Sequence, residues 1–152
     1  MVQAVRVKTF TPVLETSILA DNDVFFVPIE VTSVFDYPGQ SLALHSVTVL
    51  DGDDQNTDFD LYFFEASVTL GSLNGAVSIS DADAAKCLGS VRMEAATDSD
   101  DLINSRLFCK RGIGMTVQAA TNSTSLWVGG VVRSGTPTYT ASGMKIKLGF
   151  LY

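Results

Sequence analysis

Apolar and polar residues alternate in short runs along most of the chain, a spacing typical of strands. The C-terminal region shows this most clearly. An apolar run rich in β-branched and aromatic residues at 125–133 is followed by a loop of Gly, Pro, Ser and Thr at 134–143. A second run, 144–152, alternates Lys with Ile and Leu. These features predict two strands and their connection, with the last residues held in a sheet.

The same pattern predicts further strands in the rest of the chain. The strand-like runs are 2–10, 25–31, 42–50, 59–64, 90–95, 105–110 and 115–119. In the first run Val5 and Val7 alternate with charged residues, which is the period of a half-buried strand. In the second, Pro28 lacks a backbone donor, which favours an edge strand or a bulge. Residues 14–19 and 67–79 fit either a strand or a loop.

The run 42–50 is predicted to be a central strand of its sheet. Apolar side chains occupy both faces when the residues simply alternate. Leu42 and Leu44 lie on one face, and Val47 and Val49 lie on the other. A strand that is apolar on both faces is expected to be covered on both.

An acidic loop, Asp51 to Asp58, connects this strand to 59–64, and we expect the two strands to form a hairpin or an adjacent pair. The loop fails the spacing of an EF-hand, since Asn56 stands at its sixth position and Tyr62 at its twelfth. Calcium bound in another geometry stays an alternative to a plain solvated turn. Because no cationic residue is near in sequence, the loop is expected to be exposed and dispensable for folding.

One segment, 80–89, has the pattern of a helix. Ser80 can cap its first turn, two Asp residues follow, and Gly89 can end it about two turns later. With about eight to ten short strands around it, the sequence predicts an all-β fold. We expect an antiparallel jelly-roll-like β-sandwich with one short helix, in a single domain over residues 1–152.

Charge narrows the range of partners. The net charge is -7, so the surface repels phosphate backbones and nucleic acid is not an expected partner. The first 80 residues hold eleven acidic and two basic residues, and the rest hold six acidic and eight basic residues. This asymmetry could orient subunits in an assembly, although solvated acidic loops would give it too. No signal peptide or membrane span is predicted, so export by a cleaved signal is not expected.

No catalytic, cofactor-binding or metal-binding residues are predicted. Cys87 and Cys109 form no metal or redox motif, and we expect both to be buried and reduced. The single histidine, His45, is expected in the core or half-buried, with no nucleophile motif to accompany it. Asn122 begins a glycosylation sequon that we interpret as an accident of a polar loop.

Two features of the run 125–133 indicate close packing. Gly129 and Gly130 stand inside an apolar strand, where glycine marks a bulge or the close approach of another backbone or an aromatic ring. Trp127 either fills the core, which we favour, or lines a binding surface.

Four stretches resemble small virion proteins encoded among the head genes of tailed bacteriophages, and most of all those that decorate or cement capsids. They are Leu44 to Asp54, Asp60 to Phe64, Val77 to Ala84 and Gly135 to Thr140. The resemblance implies a β-sandwich that binds the outside of a capsid, with the major capsid protein as partner. It also implies a homo-oligomer, for which we expect a trimer.

This resemblance makes a non-enzymatic role on the virion's capsid surface the expected function. The segment Met1 to Phe10 is a candidate for reaching a neighbouring subunit or the shell, or it is an ordinary first strand. The main alternative is a carbohydrate- or receptor-binding β-sandwich module of a phage fibre, which would need exposed aromatic residues in a groove.

Overall fold

The computed structural model describes residues 5–152, which form nine strands and two four-residue helices. The elements are β1 Val5–Phe10, β2 Val24–Val31, β3 Ser41–Asp51, β4 Phe59–Phe64, α1 Asp81–Ala84, β5 Cys87–Met93, α2 Ala95–Asp98, β6 Ser99–Asp101, β7 Arg106–Gln118, β8 Leu126–Val132 and β9 Met144–Leu151. The C-terminal strand pairs with β1 on one side and β3 on the other, so the last residues are held in a sheet as expected.

The strands form two antiparallel sheets that pack face to face. The five-stranded sheet has the order β1-β9-β3-β7-β6, and the four-stranded sheet has the order β2-β8-β4-β5. Apart from β6, this is the strand order of a jelly roll, in which eight strands form two Greek keys. The predicted all-β, jelly-roll-like β-sandwich is therefore confirmed.

The predicted hairpin of β3 and β4 is wrong. The first of these strands lies in the five-stranded sheet and the second in the four-stranded sheet. Both present apolar side chains to the space between the sheets, with Val47 and Val49 on one side and Phe59, Leu61 and Phe63 on the other. Placing the strands in opposite sheets buries both sets in one core, which a hairpin would not do.

A bulge in β3 explains why its apolar pattern misled the prediction. Pairing with both neighbours shifts register between Leu44 and Ser46. His45 is the extra residue against β9, whereas three residues of β7, 112–114, stand opposite it on the other side. The bulge moves Val47 and Val49 to the same face as Leu44, and all three are buried. The strand is central in its sheet as predicted, but only one face is covered. His45 is exposed, contrary to expectation.

The segment predicted as two strands and a turn, 105–119, is the single strand β7. Gly112 and Gly114 have φ angles of 67° and 70°, so the strand makes a wide irregularity without leaving the sheet. It lies opposite the β3 bulge, because Leu44 pairs with Met115 and Ser46 pairs with Arg111. Pairing with β3 on both sides of the irregularity keeps the strand continuous.

The helix prediction is confirmed only in its first turn. The Ser80 hydroxyl accepts a hydrogen bond from the backbone N–H of Asp83, and α1 then ends after four residues. Residues from Cys87 onward, including Gly89, pair with β4 instead and form β5. The second short helix, α2, lies where the sequence predicts the end of a strand and a loop.

The prediction at Pro28 is confirmed, and the structure decides between the two alternatives left open for residues 14–19. β2, which contains Pro28, is an edge strand whose register shifts on both sides of Phe26. Residues 14–19 form no strand; this loop carries Leu19 into the core but leaves Ile18 65% exposed.

The chain covers the outer face of its four-stranded sheet with its own residues. Leu70, in the segment 65–80 between β4 and α1, packs against Phe64, Val24 and Val131 on that face. Trp127 is half-buried at the edge of this cluster. It therefore belongs to a secondary core and lies outside the space between the sheets.

Candidate functional surface

No segment within residues 5–152 covers the outer face of the five-stranded sheet in this way. The side chains on this face alternate along the strands with residues that are buried in the core, such as Phe108, Ile146 and Leu148. We call this surface the open face and define it by Val5, Val7, Thr48, Leu50, Leu107, Cys109, Arg111, Lys145 and Lys147. These residues belong to four adjacent strands, β1, β9, β3 and β7.

The apolar residues of β1 lie on the open face, the reverse of the usual arrangement. Val5 and Val7 are 66% and 61% exposed, while Arg6 and Lys8 are only partly exposed on the inner side. The predicted alternation of this strand is confirmed, and its valine side is the exposed one. Residues 1–4 of the N-terminal segment lie outside the described residues, and 5–10 form an ordinary first strand of this domain.

Arg6 is held on the inner side by three groups. Its guanidinium donates to the carbonyl oxygen of Val34 and to the carboxylate of Asp36, each at 2.5 Å, and it lies 5.1 Å from the ring centre of Tyr152. The hydrogen bond from Arg6 lowers the pKa of Asp36. These contacts keep the charge of Arg6 off the open face and leave Val5 and Val7 outside.

Unpaired positive charge is concentrated on the open face. Within residues 5–152, six of the ten basic residues have a carboxylate within 4.0 Å. The other four are Lys8, Arg111, Lys145 and Lys147, and the last three of these are open-face residues. None of the nine residues that define the open face is acidic, although the net charge of the protein is -7. One exposed carboxylate, that of Asp100 on the edge strand β6, borders the face beside Leu107. The surface therefore combines exposed valines with free cations.

Two concave regions adjoin each other around Lys145. A groove of about 230 Å³ lies within the open face, between Lys145, Lys147 and Leu107. A second cavity, of about 370 Å³, lies at the end of the face and is lined by Asp53, Thr140 and Ser142 among others. Both are partly apolar, and the second also presents one carboxylate, that of Asp53, and the hydroxyls of three residues.

The acidic loop is a folded part of the protein, and the expectation that it is exposed is wrong. Asp51 is 1% exposed, and its carboxylate accepts hydrogen bonds from the backbone N–H groups of Asp53 at 2.9 Å and Gln55 at 2.7 Å. Burial raises the pKa of Asp51 to about 6 despite these hydrogen bonds. The loop folds around this carboxylate.

The loop also has a cationic partner that sequence distance concealed. Asp54 Oδ1 and Arg106 Nε lie 3.4 Å apart, and Arg106 also approaches Asp101 at 3.7 Å. Pairing of β3 with β7 places Arg106 opposite Asp51, which brings the guanidinium to the loop. Among the residues that the structure describes, no group of three or more His, Cys, Asp or Glu side chains is arranged to hold a metal ion.

Both cysteines are exposed, which corrects the expectation that they are buried. Cys109 lies on the open face, 3.9 Å from the hydroxyl of Thr48. Cys87 lies at the start of β5 in the other sheet. Neither exposure could be predicted from sequence, because both cysteines stand in mixed runs whose inward face is set by sheet pairing. The reactivities of the two thiols can therefore be used to probe the two sheets separately.

The packing predicted at the glycine pair is confirmed. A Cβ atom added to Gly130 would meet the rings of Phe26 and Phe25, the latter at 2.6 Å. A Cβ on Gly129 would meet Leu70 at 2.9 Å and Pro28 at 3.1 Å, on the outer side of the same sheet. These glycines let aromatic and apolar side chains approach the backbone of β8.

No protein-family model matches this chain, and no curated protein matches it. Among solved structures it is similar to a chain of tomato aspermy virus, determined by X-ray crystallography, with 8% sequence identity and a TM-score of 0.42 over 98% of this chain and 76% of that one. It is also similar to a chain of desmodium yellow mottle tymovirus, with 10% identity and a TM-score of 0.30 over 99% and 81%.

The described part of the chain contains no helix with the length and hydropathy needed to cross a membrane. The strand order of its own two sheets defines the protein as a jelly-roll β-sandwich. Its distinguishing surface is a sheet face that the chain leaves uncovered.

Proposed function

We propose that this protein is a virion structural protein that binds the outer surface of a phage capsid and stabilises it, as a decoration or cement protein. The observation that carries the proposal is the open face. The chain covers the corresponding face of the other sheet with its segment 65–80 but leaves Val5 and Val7 exposed here. Contiguous exposed apolar residues next to polar ones are typical of protein interaction sites.

In this proposal the major capsid protein is the partner, and the protein works by binding rather than by catalysis. The sequence resemblance to phage decoration proteins supports the same class, and the jelly-roll fold is one that virion proteins use. The protein would be made in the host cytoplasm and act on the capsid surface.

The proposal also includes a homo-oligomer, with three subunits as the expected number. Subunits linked to one another on a repeating surface gain avidity of roughly a hundredfold or more over a single contact. Light scattering coupled to size-exclusion chromatography measures the subunit number directly.

The central experiment is co-sedimentation with purified capsids that lack the protein, combined with cysteine protection. Cys109 marks the open face and Cys87 the opposite sheet, so the second thiol is an internal control. We expect the protein to sediment with capsids and alkylation of Cys109 to slow several-fold, while Cys87 reacts at its free rate. A protein that stays in the supernatant, or protection of Cys87 alone, would contradict the proposal.

A second candidate function is a carbohydrate- or receptor-binding module of a phage fibre. The cavity beside Asp53, Thr140 and Ser142 favours it, because carboxylate and hydroxyl groups are the partners that sugar hydroxyls need. Retention on a glycan surface by a monomer that ignores capsids would favour this function over the first.

A further inference from the structure

The charges of the open face indicate what kind of surface it meets. We infer that the open face recognises an acidic protein surface, whose carboxylates contact Lys145, Lys147 and Arg111 while its apolar side chains contact Val5 and Val7. This inference rests on the proposed function, since it names the chemistry of the partner's contact surface.

Charge distribution is the first argument. Six of the other seven cations, all but Lys8, have a carboxylate partner within residues 5–152; for example, Lys110 lies 3.0 Å from Asp98, and Arg133 lies 2.7 Å from Asp60. Lys145, Lys147 and Arg111 have no such partner within residues 5–152. A cluster of unpaired cations on a protein of net charge -7 is complementary to a negative partner.

Geometry is the second argument. Lys145 and Lys147 are alternate residues of β9, so their Cα atoms lie about 7 Å apart on the same face. Arg111 pairs with Ser46, which pairs with Gly149 of β9, so Arg111 lies two strands, or about 10 Å, from that strand. Gly149 contributes no side chain, and Ser46 lies over it. The three charged side chains therefore surround a region of small residues, which a flat partner surface can approach.

The composition of the face favours a protein over a nucleic acid or an anionic membrane. Three cations are fewer than the roughly six to ten phosphate contacts of a typical DNA-binding protein, and the net charge of -7 opposes a phosphate polyanion at longer range. Exposed Val5 and Val7 need an apolar partner, which a phosphate backbone does not offer.

The test compares two charge reversals of equal size. Lys147→Glu changes the open face. Lys86→Glu changes a lysine on the other sheet's side, whose partly exposed pair with Asp83 is expected to contribute little. We expect Lys147→Glu to weaken capsid binding about tenfold or more and Lys86→Glu to change it less than about twofold. Lys147→Arg, which keeps the charge, should bind like the wild type.

A second probe makes the inference testable independently of capsids. Immobilised poly-L-glutamate offers carboxylates alone, and at low ionic strength it should retain the wild type and Lys86→Glu but release Lys147→Glu. If the wild type binds capsids and Lys147→Glu binds equally well, the inference is wrong and the proposed function stands.

If neither the wild type nor any variant binds capsids, the proposed function is wrong. The inference about an acidic partner is then tested by retention on poly-L-glutamate alone. Failure of the wild type to bind poly-L-glutamate would overturn it. Tighter binding to duplex DNA or to vesicles containing phosphatidylserine would also overturn it, because the partner would then be a phosphate polyanion or a lipid surface.

Discussion

The carboxylate of Asp53 accepts two hydrogen bonds from Thr140, one from its backbone N–H at 2.9 Å and one from its hydroxyl at 3.0 Å. These bonds fasten the β3–β4 loop to the β8–β9 loop. The two loops also meet where Gln55 accepts from the backbone N–H of Thr138 at 3.0 Å, and where the hydroxyls of Thr57 and Tyr139 lie 3.1 Å apart. The acidic loop is therefore a structural clamp at one end of the sandwich.

Replacing Asp53 should test whether this clamp stabilises the fold. Hydrogen bonds to charged groups contribute about 1.5–3 kcal/mol, so we expect Asp53→Ala to lower the free energy of unfolding by about that amount. Asp21→Ala is the matched control, because Asp21 is exposed. Chemical denaturation of both variants provides the measurement. If Asp53→Ala lowers the free energy of unfolding by less than about 0.5 kcal/mol, which is the range of ordinary surface substitutions, the loop is dispensable for folding after all.

Strand positions could be predicted from sequence because period-2 patterns and turn residues are local signals. Strand partners could not, because pairing depends on contacts between residues far apart in the chain. The run 42–50 illustrates the difference: its strand was predicted, but the single unpaired residue His45 inverts the face of every residue after it. A bulge of one residue leaves no signature in composition.

The candidate surface was predictable only in part. The alternation of Val5 with Arg6 shows that β1 has two different faces, but it does not show which one faces the core. That choice depends on Asp36 and Val34, which hold Arg6 on the inner side. Likewise, the distinction between paired and free lysines becomes visible only when the fold brings the carboxylates near.

The glycine pair in β8 gives a prediction about core packing. A methyl group at Gly130 would lie against the rings of Phe25 and Phe26, which are both buried, and overpacking a tight core costs about 1–3 kcal/mol or more. We expect Gly130→Ala to destabilise the protein more than Gly129→Ala, whose nearest neighbour is the flexible end of Leu70. Thermal unfolding of the two variants measures the difference. Equal melting temperatures would contradict the packing described for Gly130.

Burial of Asp51 predicts a distinctive dependence of stability on pH. Its pKa is raised from 3.8 to about 6, so between these values the native state binds a proton that the unfolded chain has released. Stability contributed by this group is therefore greatest at low pH and falls as the pH rises toward 6. Because the amide of Asp51→Asn does not titrate, this variant should lack that contribution to the pH dependence of the free energy of unfolding, whatever its absolute stability.

Denaturation of wild type and Asp51→Asn at a series of pH values from about 4.5 to 7.5 isolates the effect of Asp51. The free-energy difference between the two proteins should change across this range and become constant above about pH 7. Parallel pH profiles would show that the carboxyl of Asp51 titrates normally.

The last prediction concerns Asp60, a buried carboxylate between two arginines on the outer side of the four-stranded sheet. Its side chain is 7% exposed; Arg92 pairs with it from β5, and Arg133 Nε lies 2.7 Å from its Oδ2. Arg133 is itself largely buried and also donates to Asn22 at 2.6 Å and to the Tyr62 hydroxyl at 2.7 Å. The Asp60 carboxylate therefore connects β4 to β5 and to the residue that follows β8, and the half-buried guanidinium of Arg133 depends on it.

Removing the shared partner should cost more than removing either arginine. Asp60→Ala leaves Arg133 without its carboxylate and is expected to destabilise the protein by about 3 kcal/mol, as for other broken buried pairs. Arg92 has a side chain that is 48% exposed, so Arg92→Ala should cost less than about 1 kcal/mol. Arg133→Ala should lie between them. A double-mutant cycle of Asp60 with each arginine measures the two couplings, and a larger coupling to Arg92 than to Arg133 would contradict this order.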